Sequence, residues 1–148
     1  MRLVQVQSIF NACVSALELD LGAEVALPIA EIRDAIEPAK IATEKKIQVL
    51  NKQKMLFLTR HSKKDKEGKP LIRTMDDGAT AYPVPLYGTD PDFDTANDAE
   101  DAAMAAVTDG DVEGIPDMAA EKYQIPKDKF HDKVKNGFIL AELRSFTK

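Results

Sequence analysis

Residues 28–60, PIAEIRDAIEPAKIATEKKIQVLNKQKMLFLTR, are the stretch to which the remaining chain must conform. Ile29, Ile32, Ile36, Ala39, Thr43, Ile47, Leu50 and Phe57 recur at steps of three, four or seven. That spacing aligns them along one side of a helix with 3.6 residues per turn, and so apolar a side must be buried. Glu31, Asp34, Lys45 and Lys52 fall on the rest of the cylinder. Lys40 and Glu44 stand one turn apart, a pairing that contributes about 0.2–0.5 kcal/mol. Each buried Ile or Leu contributes roughly 1.5–3 kcal/mol, so the stripe outweighs every such pair. Pro28 suits the first helical position, where its missing N–H would have no partner. Pro38 removes an interior hydrogen bond and crowds the preceding turn, which predicts a kink near Ile36 or two helices meeting there. Unbroken, the helix would extend roughly 50 Å, against about 30 Å for the width of a domain of this size. The surplus calls for a partner.

The 148 residues predict a single domain over 1–148, able to bury about two-thirds of its surface without disulfide or metal. Charged residues at 30% and hydrophobic ones at 44% exclude wholesale disorder. The net charge of −5 is uneven: residues 40–73 are rich in Lys and Arg, whereas residues 90–121 hold nearly all the surplus of acid. Cys13, the single cysteine, allows no internal disulfide and fits a reducing compartment. No apolar run approaches the 18 residues of a membrane span, and the N-terminus lacks a signal peptide's layout. The chain therefore reads as cytosolic, with no membrane partner.

In chain order, residues 2–6 predict a short strand, because Val4 and Val6 share one face and are β-branched. Ser8 then caps a helix over residues 9–19, with Phe10, Cys13 and Leu17 inward, which Gly22 ends. The short connection to the long helix predicts an antiparallel helical hairpin. Residues 61–68 carry mostly charge and mark a solvated turn. Residues 71–75 and 79–84 flank Asp76, Asp77 and Gly78, a β-hairpin signal, with Pro83 and Pro85 making the second strand an edge. After a turn over residues 87–94, residues 95–107 predict an alanine-rich helix whose acidic start suits its dipole. It has little side chain to bury, so residues 87–116 read as an acidic insertion or mobile arm. Tyr123 and Ile125 alternate as in a strand; over residues 138–146, Ile139, Leu143 and Phe146 fit a helix and Phe138, Ile139 and Leu140 fit a strand, with the helix favoured. The predicted fold is α+β: an N-terminal helical hairpin, its one long helix packed on a small antiparallel sheet.

Asp90, Asp92, Asp94, Asp98 and Asp101 have the spacing of a calcium loop. Thr95 stands where the sharp turn needs Gly, however, and Asp101 where the longer Glu reaches better, so a solvated acidic turn is expected and no metal. His61 and His131 have no second ligand at metal spacing, and no Ser, His and acid fall in a triad order. Gly110 and Gly114 lack the strand-to-helix setting of a phosphate loop. No enzyme and no cofactor are expected. The lysines from Lys45 to Lys69 read as a wet helix face interrupted by acids, so nucleic acid is not the expected partner. The acidic residues beyond 90 could instead imitate a phosphate backbone. The expected partner contacts are Met55, Phe57 and Leu58 on the long helix, with Asp90, Asp92, Asp94 and Met104 on the insertion.

A Leu-Pro-Ile-Ala step at Leu27, Pro28, Ile29 and Ala30 leads into the long charged helix. Lys-Asp-Lys-Glu-Gly-Lys-Pro over residues 64–70 opens the hairpin, and Glu121 to Ile125 forms a later Glu-x-Tyr-x-Ile segment. Over residues 1–75 this order resembles a family of small uncharacterised tailed-bacteriophage proteins, from which residues 87–116 depart as an insertion. The resemblance implies a viral protein working by contact with other proteins. The expectation is a non-catalytic virion-associated or assembly component, found in the virion or the host cytoplasm, with other phage proteins or itself as partner in an oligomer. The alternative is an accessory inhibitor of a host defence or transcription factor, acting through its acidic surface.

Overall fold

The structure, a computed structural model, describes residues 1–74, 76–79, 81–83 and 91–148, with the backbone alone at Tyr82, Pro83 and Ala120. The chain is mostly helical, which overturns the α+β fold expected from the sequence. Among the described residues the only paired strands are β1 (Ile72–Thr74) and β2 (Ala81–Pro83), antiparallel with Ile72 opposite Pro83 and Thr74 opposite Ala81. Three residues per strand, with β1 exposed along its whole length, make a ribbon and not a sheet on which helices could pack. The contacts gather into two compact units, Met1–Glu44 with Thr108–Lys148, and Lys45–Val107.

The first unit contains α1 (Leu3–Leu17) and the beginning of α2 (Ala23–Arg60). The strand expected over residues 2–6 does not form. Leu3, Val6, Ile9, Ala12, Cys13 and Ala16 are buried at helical spacing, and Val4, which the two-residue period would have paired with Val6, is 66% exposed. Burying one continuous helical face outweighs the weak strand preference of two valines. Ser8 consequently sits inside α1, and Phe10 and Leu17 are half-buried. The start is capped at Arg2, whose N–H donates to the Gln5 side chain at 2.9 Å. Gly22, at φ +73°, takes the left-handed turn between the helices.

Helix α2 begins five residues before Pro28 and runs unbroken through Pro38, so neither the expected start nor the expected junction is found. Each proline forfeits one backbone bond, to the carbonyl of Glu24 or of Asp34, and both of those residues are exposed to water. Val25, Ile29, Ile32, Ile36, Ala39 and Thr43 form the buried face. Helix α1 runs antiparallel to it: Gln7 Nε2 donates to Glu44 at 3.1 Å, and Lys40 Nζ lies 4.7 Å from the centroid of the Phe10 ring. The unit is completed by α4 (Ala120–Tyr123), α5 (Lys127–Lys133), α6 (Gly137–Leu143) and a 3-10 turn (Arg144–Phe146). Helix α6 packs on α1 and is capped by the Asn136 side chain, which accepts from the backbone N–H groups of Phe138 and Ile139. The strand-like reading of Tyr123 and Ile125 is also corrected. Tyr123 closes α4, its ring edge-on to Phe146 at 5.8 Å, and Ile125 makes a single parallel bridge to Thr147.

The second unit holds the rest of α2, the ribbon and α3 (Pro91–Thr108), which starts four residues earlier than expected. Pro91 occupies its first position, where a proline costs no hydrogen bond. The turn expected over residues 87–94 is thus helical from Pro91 onward, and its earlier part lies outside the described residues.

Candidate contact surface

Helix α2 changes character along its length. Ile29, Ile32 and Ile36 are 0% exposed, whereas no α2 residue beyond Thr43 is buried. Ile47, Leu50, Met55, Phe57 and Leu58 are half-buried, and Val49 and Leu56 are 59% and 47% exposed. The apolar period continues past the point where the chain supplies full cover.

Partial cover comes from α3. Phe93, fully buried, stacks on Phe57 with centroids 5.4 Å apart and planes 13° from parallel. His61 completes the cluster, 4.7 Å from Phe57 and 5.9 Å from Phe93. One turn earlier on α2, Lys54 Nζ donates to Oδ1 of buried Asn97 and pairs with Asp101 at 2.7 Å. Phe57 beside Phe93 and Lys54 beside Asn97 set the two helices antiparallel. The ring cluster governs this docking: a buried Phe contributes roughly 1.5–3 kcal/mol, an ion pair as open as Lys54–Asp101 about 0–1 kcal/mol.

Charge is sorted within this unit. Residues 45–73 carry ten Lys and Arg against two carboxylates, and residues 74–107 carry eight carboxylates with no Lys or Arg. Asp92 and Asp94 lie in the first turn of α3, where the helix dipole favours anions.

The expected contact residues are therefore divided. Phe57 is engaged by Phe93, Met55 and Leu58 are half-buried beside it, Asp92 is exposed, and Asp94 and Met104 are half-buried. Asp90 lies outside the described residues. Asp92, Asp94, Asp98 and Asp101 belong to a helix and not to a loop, and among the described residues no group of side chains is arranged to hold a metal ion. Val49, Leu56 and Phe93 were missed. The signal for Phe93 was available: it stands four residues before Asn97 and eleven before Met104, one helical face beginning just after a proline.

In the first unit Cys13 is buried, and that burial pushes its thiol from the ordinary 9.0 up to about 12, against a smaller opposing effect of Arg33. A recess of about 370 Å³ at the start of α2 is lined by Leu21, Val25 and an ion pair of Glu24 with Lys129, which satisfies both charges. Among the described residues no helix is long and apolar enough to cross a membrane. No protein-family model, curated protein or solved structure matches the chain.

Proposed function

We propose that this chain is a non-catalytic virion-associated or assembly component of a tailed phage, working through protein–protein contact in the particle or in the host cytoplasm. The observation that carries the reading is that α2 buries no residue beyond Thr43 and, on a second side of the helix, leaves Val49 and Leu56 exposed to water. Aliphatic side chains on a rigid helix gain roughly 25 cal/mol per Å² when a partner covers them. The resemblance over residues 1–75 supplies the phage context. Mass spectrometry of purified particles tests it: the chain is expected among their proteins, or bound to a capsid or tail component in the infected cell. Its absence from particles and from every assembly intermediate refutes the proposal.

A second reading is favoured by the acid-only character of residues 74–107. An inhibitor of a host defence or transcription factor would present α3 to a basic surface, with binding that weakens as salt rises. Replacing Asp92, Asp94 and Asp98 by Asn would abolish such binding; if binding survived, this reading would fail.

A further inference from the structure

We infer that this chain associates head-to-tail with further copies of itself, the outer side of α2 in one copy seating on the acidic outer side of α3 in the next. This deepens the proposed function by naming the partner, and it rests on the same reading of the exposed Val49 and Leu56 on α2.

Two surfaces of the second unit complement each other. On α2, Val49 and Leu56 are seven residues apart, on the order of 10 Å along the helix, and are flanked by exposed Lys45 and Lys52. On α3, the side away from Phe93 and Asn97 carries exposed Ala99, Ala102 and Ala106 beside exposed Asp98. Ala99 and Ala106 repeat the seven-residue interval. Large aliphatic side chains and ammonium groups on one face thus meet small side chains and a carboxylate on the other. Lys45, Lys52 and Asp98 form no ion pair among the described residues, so their charge is available across an interface. Within one chain the two faces cannot meet, because Lys54 and Phe57 already bind the other side of α3. At about 100° per residue, Val49 and Leu56 lie roughly a third of a turn from the side of α2 that meets α3. Ala99, Ala102 and Ala106 lie opposite the side of α3 that meets α2. The faces point different ways, so a copy that uses one leaves the other free. Such an interface is heterologous and builds rings or filaments, not a closed two-fold dimer.

Sedimentation velocity on the purified full chain tests this without reference to particles. Concentration-dependent oligomers larger than dimers are expected at about 0.05 M salt, dispersing toward monomer at about 0.5 M as charges are screened. Leu56→Asp disables the α2 face and Ala102→Glu the α3 face. Both sites are exposed, so circular dichroism should show unchanged helix content. Each variant alone should be monomeric, and an equimolar mixture should form a one-to-one complex and nothing larger, since one intact face of each kind remains. Wild-type chain that stays monomeric at low salt overturns the inference, as does either variant assembling as the wild type does, or a mixture that fails to pair. Presence in particles with a monomeric purified chain would leave the proposed function standing and this inference refuted.

Discussion

Replacing Phe93 by Ala should release α3 while leaving the first unit folded. Phe93 is 1% exposed and is the one large side chain that α3 buries; Asn97 is the other buried residue on that helix, and Met104 is half-buried. Removing a buried phenyl ring costs about 3–5 kcal/mol, and at about 1.4 kcal/mol per factor of ten that is more than a hundredfold in the docking equilibrium. The contact of Lys54 with Asn97 and Asp101 remains, and it is partly in water. Most of a protein helix's stability comes from packing its apolar face, so undocking and fraying of α3 should occur together. Hydrogen exchange read by mass spectrometry is the assay. Amides of residues 93–107 should exchange more than a hundredfold faster in the variant, with those of α1 unchanged. If α3 kept its protection, the ring cluster would not be what holds it. If α1 lost protection equally, the two units would not unfold separately.

Lys54→Met removes the donor that satisfies buried Asn97, so thermal unfolding should register a loss of about 1–3 kcal/mol, most of it from the stranded amide oxygen and little from the exposed Asp101 pair. Asn136→Ala strips two N–H groups at the start of α6 of their acceptor and should cost about 0.5–2 kcal/mol in urea unfolding. The Cys13 thiol, raised by burial to about 12, keeps its proton in the folded state where the unfolded chain would lose it near 9.0. Its contribution is therefore complete below pH 9 and declines as pH climbs from there toward 12; urea titrations across that window should show the decline, and Cys13→Ala should remove it. Hydrogen bonds from Lys40 and then Gln7 hold the Glu44 carboxyl below its usual 4.5, so its contribution is present above that value and is lost as pH falls past it. Glu44→Gln should flatten that acid limb.

The long helix was legible because its apolar residues keep the 3.6-residue period through both prolines, and burial of Ile29, Ile32 and Ile36 outweighs one lost hydrogen bond at each. Helix α6 was legible from Ile139 and Leu143, four apart. Two strand readings failed for one reason: a single pair of β-branched or aromatic residues two apart is too short to establish a two-residue period. At Val4 and Val6 the longer pattern of Leu3, Val6 and Ile9 wins; at Tyr123 and Ile125 the ordering comes from Phe146 and Thr147, more than twenty residues away. Pro91 was read as turn chemistry, which hid the helix start and with it Phe93. Which apolar residues of α2 stay open was not legible, because Phe57 is satisfied by a residue 36 positions downstream, while Val49 and Leu56 lie outside the inward stripe.

The ring cluster also equips the second unit with a spectroscopic reporter. His61 sits within 6 Å of two phenyl centroids, and the chain has only two histidines. Aromatic ring currents should displace its imidazole proton resonances from free-histidine positions, in a spectral region sparse enough to follow in one dimension. Loss of that displacement would mark separation of α3 from α2, so the state of this helix pair can be watched by magnetic resonance without attaching a label.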